Sequence, residues 1–462
     1  MMGECHDLPD LAFLCILFLL SPGRTPNAAE IIEILKTDIV AFNLKEHQAS
    51  LLDGTYKGEE GALCLTPEAA RSLGLSVLVH PLYENAVALQ KEAAEDLQEA
   101  RRSLLTNQTE GQPDGHARAA ARAAAAYNQK KSTAWNHLMT YRARLTLEND
   151  DRLKESLVLN LLEDLLRQAL DTNGRNLRDS LAHVYNRCRG LKNGGDPLKP
   201  ENVRFVNAVF NAFRAKAPDA LQKELDLDLY RPSPNMDPLT HQTTLARVQD
   251  AAPNCLRPLF ELTAEENPCV DPLLFMALMR RESSFNPSAV SYVGAAGLTQ
   301  IMPATGEGLG MQTIFKPDYF DEATRLLSGE RRLRRQAMDI LLQIKDEGDL
   351  SAARRARALM QESLTAKKKR TVLLERYRDE LLEHGKDDRL DPEKAIAKGV
   401  KYFCGILKDF DGDMSLALSA YNAGPHRVRQ YEGIPPYSET VTFRNRVLSF
   451  YREYIQRFRD VR

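Results

Sequence analysis

Apolar residues recur at intervals of three and four along much of the chain, and this spacing limits what it can fold into more than any other feature. Leu157, Leu161, Leu165 and Leu166 make one such stripe, and Val203, Val206, Val209 and Phe210 another. The interval places each set on one face of an α-helix; a strand face would need alternation. From Ala29 to about Leu245 helix formers dominate, so this region is predicted to be helical. Ala117–Ala126 is almost all Ala and Arg, with high helix propensity but little apolar bulk, and reads as a solvated helix. Asn107–Gly115 and Asn193–Pro197 read as loops, and Arg231–Pro238, with three prolines, reads as a linker.

At 462 residues the chain is too long for one core, so two or three units are expected. Residues 1–29 form a candidate signal peptide or short anchor, 30–245 a helical N-terminal domain, and 246–462 a domain that carries chemical motifs. The first segment rests on Leu11–Leu20, a short apolar run followed by Ala28 and Ala29 as small cleavage-site residues. Acidic Glu4, Asp7 and Asp10 precede it where basic residues are usual, which leaves a mis-assigned start codon as an alternative. The 62 basic and 64 acidic residues nearly cancel, so no global field would hold nucleic acid, and no nucleic-acid partner is expected. None of the cysteines at 5, 15, 64, 188, 255, 269 and 404 forms a Cys-x-x-Cys pair, so no metal site is expected. Cys255 and Cys269 could pair in an oxidising compartment, or stay as buried thiols. His80, His137 and His183 are isolated and read as surface or satisfied core histidines. No repeat is evident within the N-terminal half.

The chemistry begins at Asp271-Pro272, a capping residue followed by a proline suited to a first helical turn. Leu273, Leu274, Met276, Ala277, Leu278 and Met279 continue as an apolar helix that ends around Arg280–Ser284, with Asn286-Pro287 as the stop. Glu282 is therefore predicted in the last turn, where the negative end of the helix dipole and burial both favour the protonated acid. Such a carboxyl group can give a proton to a leaving oxygen. A glycine-rich stretch, Ser291–Thr305, follows, with Gln300 and Met302 in it. Farther on come Tyr421 and Asn422, closed by Gly424-Pro425, and then Tyr437 with Glu439-Thr440.

These blocks, in this order, resemble the lytic transglycosylase family of the soluble-lytic type, related in fold to goose-type lysozyme. The resemblance rests on Glu282-Ser283 with Phe285-Asn286-Pro287; Gly294-Ala295 with Gly297-Leu298, Gln300 and Met302-Pro303; Ala420–Pro425; and Tyr437 with Glu439-Thr440. It covers about 260–320 and 390–458. It implies that Glu282 is the catalytic acid and base, and that Ser283, Ser291, Gln300, Met302, Tyr421, Asn422 and Glu439 line the glycan groove or support the acid. For Met302 core filling is the competing reading, and for Glu439 a salt bridge or cap. Tyr292 and Thr299 depart from the residues common at those places in the family.

The resemblance also implies the reaction. Most glycosidases use two carboxylates, and here only one is obvious. The family's answer is substrate assistance: the 2-acetamido group of N-acetylmuramic acid stabilises the cation, and Glu282 then takes the proton of the C6 hydroxyl, leaving a 1,6-anhydro sugar. Hydrolysis by water at the same site, or a non-catalytic wall-binding scaffold, are the alternatives. Peptidoglycan glycan strands are the expected partner, no cofactor is implied, and the expected location is the periplasm or cell envelope.

Between Phe320 and Asp391-Pro392 the chain carries about seventy residues beyond the family pattern, so residues 321–390 read as an insertion. Glu330–Gln343 and Ala352–Leu382 have one apolar stripe each and are separated at Gly348, which predicts a helical hairpin. A solvated protrusion and a surface that packs on the N-terminal helices or covers the groove are both compatible with it. Envelope proteins could dock on this insertion or on the N-terminal domain. The basic run Lys367–Arg370 reads as solvated. The expected architecture is thus mainly α: an N-terminal helical domain and a lysozyme-like domain with an inserted helical hairpin.

Overall fold

A computed structural model of the protein describes residues 26–106, 114–173, 176–191, 196–218, 221 and 270–459. The run Leu11–Leu20, most of the loop Asn107–Gly115, the linker Arg231–Pro238, and Cys255 and Cys269 lie outside the described residues. Among the described residues the fold is α-helical, with isolated bridges at Glu60–Leu65, Val290–Ala296 and Ala296–Ile301 in place of a sheet. None of the described helices is long and apolar enough to cross a membrane.

The helices are α1 (Ala28–Asp53), α2 (Pro67–Ser72), α3 (Pro81–Leu105), α4 (Gly115–Arg142), α5 (Glu155–Thr172), α6 (Leu177–Cys188) and α7 (Val203–Lys216). After the undescribed stretch come α8 (Pro272–Ser283), α9 (Pro303–Gly308), α10 (Asp318–Gln343), α11 (Leu350–His384), α12 (Pro392–Asp409), α13 (Met414–Ala423), α14 (Pro425–Gln430) and α15 (Ser438–Arg459). They pack as two compact units, each drawing on chain from both sides of position 245.

One unit comprises Met1–Val79, Arg142–Tyr230 and Phe410–Asn445. Asn27 starts α1 with a capping box, accepting from the Glu30 backbone while Glu30 accepts from its own. The apolar stripes of α1, α5, α6 and α7 then meet in one core around Leu35, Ile39, Leu162, Leu181, Val206 and Phe213. Phe42 meets Phe205 edge-on at 5.3 Å between centroids. Two buried ion pairs fix the register of this unit. Arg178 Nη2 bonds Asp413 Oδ2 at 2.6 Å, and Arg444 Nη1 bonds Asp179 Oδ1 at 3.1 Å. Breaking such a pair would leave a charge stranded in the core.

The other unit comprises His80–Tyr141, Arg231–Asp409 and Arg446–Arg462. Here α10 and α11 form the hairpin predicted from their stripes, with Asp349 capping α11 by accepting from Ala352 N at 3.1 Å. The hairpin is not a free protrusion, because its far end packs on α3 and α4. Ala337, Leu341, Ala352, Ala353, Ala356 and Met360 meet Ala100, Leu104, Ala117, Ala120, Ala121 and Ala124 in one buried cluster. The solvated reading of Ala117–Ala126 is therefore corrected. Alanine contributes little area, but a face of alanines lets helices approach closely, and close packing replaces bulk. The basic run divides: Lys367–Lys369 are exposed, whereas Arg370 is buried with its Nε donating to Glu330 at 3.1 Å.

Candidate active site

The site is anchored on α8, whose sequence leaves no doubt about its face: Leu274–Met279 are all buried. Asp271 caps it as expected, its Oδ1 accepting from Leu273 N at 2.8 Å while its Oδ2 accepts from the Tyr451 hydroxyl at 2.8 Å. At the other end Arg280 lies over the Phe450 ring, 4.0 Å from its centroid, and bonds Glu453 at 3.0 Å. Glu282 is the next-to-last residue of the helix and half-buried. Ser284 and Phe285 then take left-handed backbone angles, φ 51° and 64°, which turn the chain sharply out of the helix. Two successive non-glycine residues there store strain of ~1–3 kcal/mol each, a cost met only where packing dictates the turn.

Ser283, expected to line the groove or support the acid, is held by its own fold. The side chain is buried, and its hydroxyl faces the Met279 and Leu298 carbonyls at 3.1 and 2.9 Å. It pins the end of α8, and with it Glu282, to the loop that follows.

That loop, 289–301, is built from crossings of backbone on backbone. Ser291 N donates to Ala295 O at 2.8 Å, and Ala295 N returns to Ser291 Oγ at 2.9 Å, so the serine hydroxyl organises the turn. Gln300, at φ 48°, points its Nε2 at the Ala289 and Gly297 carbonyls, 3.0 and 2.9 Å away. Ser291 and Gln300 thus act first on the loop's own shape. Met302 is half-buried and packs against the buried cluster that includes Ala296, Phe320, Tyr377 and Leu381.

What holds the loop from behind was not evident in the sequence. Arg389 is fully buried, with Nε and Nη2 on the two oxygens of Asp387 at 2.9 and 2.6 Å. Its Nη1 donates to the carbonyls of Gly294 and Ile301 at 3.1 and 3.3 Å, and Nη2 also reaches the Tyr377 hydroxyl at 2.7 Å. Burial alone would lower the Arg389 pKa, but its bonds to Asp387 and Tyr377 outweigh that and raise it. Asp387 also accepts from Phe315 N at 2.8 Å, and Asp388 from Gln312 N at 2.8 Å and Lys394 Nζ at 2.7 Å. Gly297, at φ 78°, sits so close that a Cβ there would run into the Arg389 carbonyl, and one at Gly294 would run into the Phe320 ring. The glycines were the available signal, since they announce a close approach without saying what approaches.

The remaining expected residues belong to the other unit. Asp413 caps α13, and at the far end of that helix Tyr421 and Asn422 are half-buried. Asn422 Oδ1 accepts from the buried Thr440 hydroxyl at 2.8 Å, which ties the end of α13 to the start of α15. Glu439 is exposed in the first turn of α15, where the helix dipole favours a carboxylate. Tyr437 stands edge-on to Tyr431 at 5.6 Å between centroids. Cys404 is disulfide-bonded, and Cys64 and Cys188 are free and buried. Among the described residues no cluster of three or more His, Cys, Asp or Glu is placed to hold a metal.

The family model described as the transglycosylase SLT domain matches residues 261–325 and 356–440. The gap between these segments takes in most of α10, the turn and the first residues of α11. A transglycosylase of Enterobacteria phage PRD1 is 39% identical over 70 residues, 15% of this chain and 24% of that protein. The chain thus matches about a quarter of the length of that relative. Among solved structures, the lytic transglycosylase Slt of Pseudomonas aeruginosa aligns with 94% of this chain and 73% of its own at 14% identity and a TM-score of 0.27. The 70 kDa soluble lytic transglycosylase of Escherichia coli aligns with 92% and 71% at 16% identity and a TM-score of 0.24. At such scores the structural likeness carries no argument of its own.

Proposed function

The chain carries a transglycosylase SLT domain, and from that premise we propose that it cleaves the β-1,4 bond between N-acetylmuramic acid and N-acetylglucosamine in peptidoglycan, leaving a 1,6-anhydro end. The observation that carries this reading is the bond from Ser283 to Leu298 O at 2.9 Å. It holds the helix end that carries Glu282 against the loop that contains Ser291, Gln300 and Met302.

In this reading Glu282 donates its proton to the glycosidic oxygen as the bond to C1 breaks. The substrate's 2-acetamido oxygen stabilises the cation at C1. The Glu282 carboxylate then takes the proton from the C6 hydroxyl, whose oxygen closes on C1, so one carboxyl group serves as acid and base. Tyr421, Asn422 and Glu439 are proposed as groove residues, their hydroxyl, amide and carboxylate groups matching sugar hydroxyls and acetamido groups. Since this polymer lies outside the cytoplasmic membrane, the protein is proposed to act in the envelope, in accord with the apolar run Leu11–Leu20.

Digestion of purified sacculi followed by mass spectrometry of the fragments tests the proposal. Anhydro-muropeptides are the expected product, and reducing ends would show hydrolysis instead. Loss of a general acid costs ~10²–10⁴ in rate, so Glu282→Gln is expected to release at least 100-fold less product. If it releases as much as the wild type, Glu282 is not the acid.

A further inference from the structure

We infer that the chain holds this domain twice, and that the N-terminal copy, residues 28–216, is one whose cleft has been filled in. The inference rests on the proposed function for what an open cleft does, but the duplication stands on the geometry alone.

The loop before α2 and the loop before α9 correspond without a gap. Thr55-Tyr56-Lys57-Gly58 faces Ser291-Tyr292-Val293-Gly294, Gly61 faces Gly297, Leu65 faces Ile301, and Thr66-Pro67 faces Met302-Pro303. The backbones agree where agreement is hardest: Gly58, Gly61 and Cys64 have φ 89°, 77° and 48°, against 92°, 78° and 48° for Gly294, Gly297 and Gln300. The clamp recurs as well. Arg152 is fully buried, its Nε and Nη2 on Asp150 at 2.8 Å each, and its Nη1 on the carbonyls of Gly58 and Leu65 at 2.7 and 2.9 Å. A Cβ at Gly61 would run into the Arg152 carbonyl, as one at Gly297 would into that of Arg389.

The helices follow in the same order and at matching places. The hairpin α3–α4 follows its loop in chain order as α10–α11 follows its own, and Tyr83 with Tyr141, 5.2 Å apart, matches Phe320 with Tyr377, 4.7 Å apart. Helices α5 and α12 are both 18 residues long and begin three residues after the clamp arginine. Tyr185-Asn186 answers Tyr421-Asn422, and Asn186 Oδ1 accepts from Asn202 at 3.1 Å as Asn422 Oδ1 accepts from Thr440 at 2.8 Å. Chance does not reproduce turn angles, a buried ion pair and a side-chain lock in one order.

At the place of Glu282 the N-terminal copy has Glu46, on a longer helix and among different side chains. Helix α1 runs on to Asp53, so Glu46 lies within the helix and not at its end, and Arg204 Nη2 holds its carboxylate at 2.9 Å. Gln300 is replaced by Cys64, whose thiol donates to Asn43 O at 3.1 Å. Where the chain after Asn422 continues with small Ala423-Gly424, the chain after Asn186 continues Arg187-Cys188-Arg189. Arg189 donates to Cys64 O at 2.7 Å, lies 3.6 Å from Glu59, and covers the ring of Tyr185, 5.4 Å from its centroid. Where the C-terminal copy has alanine and glycine, this copy thus has a large side chain tied down on three sides. The copy's hairpin keeps a function: its alanine face is the partner for the equivalent face of α10–α11.

Two measurements on the full-length protein test this. In sacculus digestion, Glu46→Gln should keep turnover within twofold of wild type, and Glu282→Gln should fall to the level of the double variant. Turnover that survives Glu282→Gln and disappears with Glu46→Gln would overturn the inference. Calorimetric titration of Glu282→Gln with the hexamer of N-acetylglucosamine should show no more than one site per chain, and two sites would overturn it. If the wild type neither cleaves nor binds, the proposed function fails while the filled copy stands. The duplication has its own readout. Arg152→Met should speed amide exchange across residues 58–65 as Arg389→Met does across 294–301, and unchanged protection at 58–65 would refute the equivalence.

Discussion

Replacing Arg389 by Met should be among the single changes most damaging to stability. The side chain has 0% exposure and bonds Asp387, Tyr377 and two loop carbonyls. Methionine fills much of the volume but supplies no donor, so Asp387, also 0% exposed at its side chain, keeps a charge with its main partner gone. Removal of one member of a buried pair costs ~3–5 kcal/mol, and an orphaned carbonyl ~1–3 kcal/mol. These contributions overlap, so a loss of ~4–5 kcal/mol is expected, against a total stability of ~5–15 kcal/mol for a folded domain. Urea unfolding followed by circular dichroism measures it. Asp387→Asn completes a double-mutant cycle. If the pair is coupled as the distances indicate, the double variant should be at least ~2 kcal/mol more stable than the sum of the single losses predicts. Single losses below ~1 kcal/mol, with additive behaviour, would refute the reading of Arg389 as the clamp of the loop.

Gly297→Ala should lower the melting temperature well beyond the effect of a surface change, because φ 78° and the Arg389 carbonyl both exclude a Cβ; a shift below 2 °C in a thermal melt would count against the close approach. Burial pushes the thiols of Cys64 and Cys188 up to about 12, so both should resist iodoacetamide at pH 8 until the protein is unfolded, as read by peptide mass mapping. Their effect on stability has a definite sign. The folded chain keeps two protons that the unfolded chain loses as pH rises above the ordinary thiol value, so the urea midpoint should fall between about pH 9 and 12, at up to ~1.4 kcal/mol per pH unit for each thiol.

Much of the fold could be read from the sequence because its signals are local. Asp271-Pro272 announced the start of α8, and the stripes on either side of Gly348 announced the hairpin. Three features could not be read that way. The alanine face of α4 has no bulk to advertise its burial, and only a facing surface of the same kind explains it. Ser283 looks like a groove residue beside the acid, but its role depends on Leu298 having folded back over it. Asp387 and Arg389 sit in a charged run, and nothing in their identity distinguishes a buried ion pair from a solvated one. The correspondence between the halves is hard to read from sequence for a related reason. The shared residues, among them Gly58, Gly61, Pro67, Asp150 and Arg152, are scattered among positions that differ in type, and the turn angles and the buried ion pair are what tie them together.

The clamp also sets an order of events during synthesis. Arg389 closes on Ile301 across 88 residues of chain, and Arg152 on Gly58 across 94. At ~5–20 residues per second on the ribosome, each loop waits roughly 4–19 s for the arginine that completes it. The intervening helices can form locally in that time, because helix formation takes less than ~1 μs. The loop beside Glu282 therefore stays unfinished while most of its domain is being made. Until Arg389 has emerged, a nascent chain carries Glu282 without the finished loop beside it.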